Sequence, residues 1–195
     1  MSKTTGHLVL KGFAYEEQLP CYQGDLNGEG FPVLMSAQRI PQARLWVCAA
    51  ARRITQKDAD AAARGGFGRA LPHIHTADSA YLLIGEAGAV TAEVTLGACR
   101  FTLESPAAAF IPAGMAHSIR LVAAEAGRWG GVVKICYNGR YHAMPAPEAA
   151  LAVQDTERYV CRGYHWSAEL AGHKGQVAEK GYPILLSTQF MREAK

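Results

Sequence analysis

No run of apolar residues in this 195-residue chain approaches the roughly 20 needed to cross a bilayer as a helix. The first six residues, MSKTTG, have no apolar signal core behind them, so the expected setting is the cytoplasm, with no membrane partner. Charge of one sign is also scarce. The formal net charge is +3, and Lys and Arg are scattered apart from short clusters such as Arg52-Arg53. A nucleic-acid binder would show a concentrated basic stripe, and none exists, so nucleic acid is excluded as a partner. The five cysteines (Cys21, Cys48, Cys99, Cys136 and Cys161) are odd in number and form no CxxC pair. That excludes a secreted disulfide scaffold and fits a reducing compartment. Neither a GxSxG elbow nor a P-loop is present. Gly65-Gly66-Phe67-Gly68 precedes a strand instead of opening a helix, so it is not a dinucleotide loop.

The chain does contain many short β segments. Glycine is abundant, with 20 residues, which suits strands joined by tight turns. Residues 44–51 (RLWVCAAA) read as a strand. Thr55 is a plausible N-cap for a short helix over 56–64, stopped by Gly65-Gly66. From Leu71 to Cys136 the pattern is strongly β. Residues 81–84 form a strand that ends at a Gly85–Gly88 turn, which places Glu86 in the turn. Val90, Ala92, Val94 and Leu96 alternate on one face, and Cys99, Phe101 and Leu103 follow in the same way. Further strands are expected over 107–111, 117–122 and 131–137. Residues 8–10 and the tail from 181 to 190 also read as strands, 24–31 as a loop and 148–158 as a helix. Short, evenly spaced strands of this kind predict a single all-β sandwich or barrel spanning 1–195, with its core over about 44–140. Cys99 and Cys136 lie in apolar strands and are expected to be buried and inert. Arg120 has the opposite strand parity to His117 and is expected outside.

The chemistry-bearing pattern is His73 and His75 in Pro72-His73-Ile74-His75. In an extended strand, residues i and i+2 share a face, so both imidazoles can converge on one ion. Downstream, Pro112-Ala113-Gly114-Met115-Ala116-His117 places a turn before a third imidazole at the head of the next strand. An isolated His on a strand is ordinarily a core or surface residue; the combination is what is specific. Neutral imidazoles suit iron, nickel, copper, zinc and manganese to differing degrees.

His73 and His75, followed by Pro112, Gly114 and His117, resemble the two signature motifs of the cupin superfamily. Tyr81-Leu82-Leu83-Ile84-Gly85, Glu93-Val94-Thr95-Leu96-Gly97, Glu104-Ser105-Pro106-Ala107 and Ile111-Pro112-Ala113-Gly114 also look like segments of small bacterial cupins. The resemblance covers about a quarter to a third of the chain. It implies a cupin jelly-roll β-barrel with a few short peripheral helices and a divalent metal ion inside. The family's Glu after the second His has no counterpart, since Ser79 and Ala80 stand there. Asp78 is the only carboxylate nearby, and it joins His73, His75 and His117 as a candidate ligand if the turn bends it inward. Leu121 and Pro106 replace the Asn and Gly of the second motif.

A three-His site without a carboxylate keeps a net charge near +2 on a divalent ion and favours anionic, bidentate substrates. Among cupins it resembles the thiol and diketone dioxygenases, which implies Fe2+, with Mn2+, Ni2+ or Zn2+ as alternatives. The expected function is therefore a metal-dependent enzyme acting on a small polar molecule by a dioxygenase-type reaction. A metal-dependent isomerase or lyase and a non-catalytic ligand-binding cupin are the alternatives. Tyr81 is a candidate proton donor. His173 is a second candidate catalytic residue, because Ala171-Gly172-His173 and 178–182 look like a segment of the archaeal cupin-type phosphoglucose isomerases. Cupins often pair through edge strands or N-terminal extensions, which implies a homodimer.

Overall fold

A computed structural model describes residues 14–15, 22–23, 32–65, 67–138, 140–170, 183–188 and 191. Three strands lead in: β1 (Ala14–Tyr15), β2 (Tyr22–Gln23) and β3 (Pro32–Met35). β4 (Trp46–Arg53) follows, and then helix α1 (Gln56–Ala63). Seven strands make up the rest of the body: β5 (Phe67–His75), β6 (Ser79–Gly85), β7 (Val90–Leu96), β8 (Cys99–Glu104), β9 (Ala107–Ile111), β10 (His117–Ala124) and β11 (Trp129–Cys136). After them come β12 (Tyr141–Pro145), α2 (Glu148–Leu151), β13 (Val160–Arg162), β14 (His165–Trp166) and β15 (Pro183–Ile184).

Pairing within the central eight strands is nested. β4 pairs with β11, β5 with β10, β6 with β9 and β7 with β8, all antiparallel. The chain thereby switches between two sheets, one containing the run β4-β11-β6-β9 and the other the run β5-β10-β7-β8. This is the double-sheet jelly roll, and the fold implied by the motifs is the fold observed. The sequence dictates it through period-2 alternation. β7 alternates buried and half-buried residues from end to end, with Val90, Ala92, Val94 and Leu96 inward. The main apolar cluster joins these to Leu83, Leu103, Phe110, Ile111 and Ile119 from both sheets.

Helix α1 begins where expected. The Thr55 side chain accepts from the Asp58 backbone N–H, and the Asp58 carboxylate accepts from the Thr55 N–H, a complete capping box. The helix expected over 148–158 stops at Leu151. Beyond it the Val153 carbonyl accepts from Ala98 N–H at 2.8 Å, and the buried Thr156 hydroxyl donates to the Leu96 carbonyl at 3.2 Å. Those tertiary contacts fasten the segment over the β7–β8 turn and override its helical propensity. A Cβ on Gly97 in that turn would stand 2.3 Å from the Val153 carbonyl oxygen, and its φ of +55° is left-handed, so glycine is required twice over.

Cys136 is buried as expected, but Cys99 is only half-buried at the mouth of β8. Hydrogen bonding with the Thr156 side chain, then with its backbone, holds the Cys99 thiol below its ordinary value. Arg120 does lie outside, bonded to Glu93. Part of the expected C-terminal strand exists as β15, which pairs with β14. The strand expected over 8–10, the loop over 24–31 and the N-terminal segment invoked for a homodimer include or comprise residues outside those described. No helix among the described residues is long and apolar enough to cross a membrane.

Candidate metal centre

Strand β5 ends in His73 and His75, and β10 begins with His117. The two strands are hydrogen-bonded neighbours, and the register sets His117 directly opposite His73. All three imidazoles are buried, at 3%, 2% and 1% exposure. Ring centroids are 5.1 Å apart for His73 and His75, 4.2 Å for His73 and His117, and 4.5 Å for His75 and His117. One nitrogen from each lies within 4.8 Å of the other two, close enough for a single ion.

The hydrogen bonds around the rings favour the ligand form. His73 Nδ1 lies 3.2 Å from the Leu71 carbonyl and His117 Nδ1 lies 3.0 Å from the Met115 carbonyl. A carbonyl only accepts, so Nδ1 donates in both. In the neutral ring Nε2 then carries the lone pair that a metal requires. Both Nε2 atoms are buried. His75 is held differently. Its Nδ1 shares a hydrogen bond with the Ser79 hydroxyl at 2.9 Å, and its Nε2 shares one with the Tyr141 hydroxyl at 3.2 Å. Each hydroxyl can donate or accept, so the pair fixes the ring plane while allowing either tautomer. This donor set fits a divalent ion of the borderline class: three buried imidazoles, two with tautomers set by backbone carbonyls.

Asp78 does not join the group. Parity turns it away from the His face, and its Oδ1 accepts from the Ala113 backbone N–H at 2.8 Å. The carboxylate therefore secures the turn before His117 instead of offering a ligand. Two more bonds tie the same corner: Gly114 N–H donates to the His75 carbonyl and Tyr137 N–H to the Asp78 carbonyl, both at 2.9 Å. Partial burial, followed by the charge of Asp78, pushes the Tyr137 phenol above its ordinary value. Ser79, in the slot where a motif carboxylate was absent, orients His75 from behind. Tyr81 is 6% exposed and its ring centroid lies 6.1 Å from that of His117, so it faces the group. His173, and with it the likeness to the isomerases, lies outside the described residues.

Sequence reasoning missed two residues. Tyr141 is 4% exposed, and its ring packs edge-on against His75 with centroids 4.8 Å apart. It carries no motif and comes from β12, so nothing in the spacing announces it. Lys134 is also 4% exposed, with Nζ 3.9 Å from the Tyr141 ring centroid. Here a signal did exist, since Val132, Lys134 and Cys136 share one strand parity and the outer two are apolar.

A scan against protein-family models finds no match, and a search of curated proteins finds none. Among solved structures the chain is similar to an oxalate decarboxylase of Lactobacillus farciminis crystallised with formate, at 13% identity over 63% of this chain and 32% of that one, with a TM-score of 0.41. A mutant oxalate decarboxylase of Bacillus subtilis matches at 14% identity over 89% of this chain and 47% of that one, with a TM-score of 0.41. The 7S globulin of Momordica charantia matches at 15% identity over 85% of this chain and 54% of that one, with a TM-score of 0.42. The chain thus spans between about a third and about half the length of these proteins. The strand pairing and the histidine cluster together define the class: an all-β jelly roll with a buried three-His group suited to a divalent metal.

Proposed function

We propose that this jelly roll is a metal-dependent cupin enzyme that acts on a small polar molecule, by a dioxygenase-type reaction at an Fe2+ centre. The observation that carries the reading is the convergence of three buried imidazoles, two of them with tautomers set by backbone carbonyls, while the Asp78 carboxylate is engaged elsewhere. When bound, a divalent ion held only by neutral ligands supplies a strong Lewis acid with positions left for substrate and dioxygen. The protein's own part is positional. Leu71 and Met115 carbonyls aim two rings, Ser79 aims the third, and the surrounding apolar side chains exclude water.

A second reading, a metal-dependent isomerase or lyase, draws support from the two phenols. The Tyr81 ring faces His117, and the Tyr141 hydroxyl lies 3.2 Å from His75 Nε2, so two tyrosines border the group as candidates to move a proton. The test is elemental analysis of untagged wild type beside His75→Ala, followed by oxygen-electrode assays with small carboxylates and diketones. The expected result is near-stoichiometric iron in the wild type, loss of it in His75→Ala, and substrate-dependent oxygen uptake. Bound metal without oxygen uptake selects the isomerase or lyase reading. Wild type that takes up no metal under any loading condition overturns both.

A further inference from the structure

Strand β8 is the last strand of its sheet, and nothing among the described residues pairs with its outer edge. Ser105 N–H donates to the Val90 carbonyl at 2.9 Å, so the Val90–Ser105 pair bonds across the β7–β8 ladder. Bonded and non-bonded pairs alternate along antiparallel strands, so Phe101 and Leu103 also bond to β7. Arg100, Thr102 and Glu104 therefore turn their backbone N–H and carbonyl groups away from β7, toward the open edge. All three side chains are exposed. The edge thus offers a short row of backbone donors and acceptors with a cation at one end and an anion at the other.

An open edge is a template for another strand, and a row of like charges is one way to repel it. Here the charges are opposite and evenly spaced about Thr102. Two copies can pair antiparallel about a twofold axis with Thr102 opposite its own counterpart. Arg100 of each copy then stands opposite the partner's Glu104. This register joins only outward-facing groups, so the ladder closes about six hydrogen bonds. Registers centred on Arg100 or on Glu104 set like charges face to face, and the offsets between lose both ion pairs. We propose that β8 is a self-association edge, and that its partner is β8 of a second copy in the Thr102-centred antiparallel register. His117 lies two strands further in, on β10, so the joint neither needs nor disturbs a metal at the three-His group.

Sedimentation velocity of the full chain in reductant, from about 1 μM to about 1 mM, tests the assignment. One short edge buries less than a standard interface, so the wild type is expected to dimerise weakly and reversibly within that range. Arg100→Glu leaves only acidic side chains at the two charged positions, and Glu104→Arg leaves only basic ones. Each variant alone is expected to dimerise about tenfold or more weakly. An equimolar mixture of the two restores opposite pairing and is expected to recover most of the wild-type affinity, as is the double variant R100E/E104R. Thr102→Pro removes the central N–H and is expected to abolish the dimer, while an edge strand tolerates the ring in the monomer. Melting temperatures of the charge variants are expected to stay at the wild-type value. Wild type that remains monomeric throughout overturns the proposal. A dimer indifferent to both charge variants overturns it too, as does a mixture that gains nothing over either variant alone. Should Thr102→Pro not fold, the charge-swap measurements decide alone.

Discussion

The larger of two buried clusters among the described residues is built around Leu83, Leu96, Leu103, Phe110 and Ile111 and is mostly aliphatic, though it includes Tyr81, which faces His117. The smaller contains Val33, Trp46, Cys48, Cys136 and Tyr141, and it borders the polar groups. There Trp46 Nε1–H donates to the Cys48 sulfur at 2.9 Å, Lys134 caps the Tyr141 ring, and Tyr141 reaches His75. The first cluster is specified by volume and alternation, so many residue sets would satisfy it. The second is specified by particular bonds, and each change leaves a polar atom to be satisfied again. Packing thus dominates the first region and specific bonds the second, with Tyr81 as the member of the first that faces the three-His group.

The sharpest separation comes from Leu83→Ala, which truncates a side chain that is 1% exposed in the large cluster. It is expected to cost about 2–5 kcal/mol in urea unfolding, with metal content per folded molecule unchanged. A parallel fall in metal content would break the division between the clusters. Ser79→Ala probes the other region. It removes the hydroxyl behind His75 and is expected to weaken metal affinity roughly 10–100-fold in chelator competition, with a far smaller change in melting temperature than Leu83→Ala.

Away from both clusters, Asp58→Ala removes half of the α1 capping box and is expected to cost about 0.5–2 kcal/mol near neutral pH. Burial raises the Asp58 carboxyl, but hydrogen bonds from Thr55 and Arg52 outweigh it and leave the group below its ordinary value. A lowered folded value means that the stabilisation is fully present above the unfolded value, about 4. It is lost as pH falls through the lower folded one, so the gap between wild type and variant should close on acidification. Thermal melts across that range check the sign. Arg120→Ala sets the floor. Its bond to Glu93 at 2.7 Å joins side chains that are 41% and 35% exposed, and its loss should stay within about 0.5 kcal/mol with metal content untouched.

Elements whose cause is local were legible in the sequence. The span of β7 and of β9 matches the reading residue for residue, because alternation and bounding turns lie within the strand. Helix α1 was marked by its own cap. The three imidazoles were legible because two share a strand and the third follows a Pro–Gly turn that delivers it to the neighbouring strand. Contacts made across the fold could not be read in this way. Thr156 ends a helix by bonding to Leu96, and Asp78 turns to Ala113. Tyr141 and Lys134 gain their meaning from a barrel wall that closes only in three dimensions.

The bonds at the corner formed by His75, Asp78 and the turn before His117 act together as a brace. Because the backbone of one motif is strapped to the backbone of the other, the rings are gathered when the sheet forms, before any ion arrives. Loaded and empty protein should therefore share one outline. The added stability on loading should then follow free ion concentration and intrinsic affinity, as simple mass action requires.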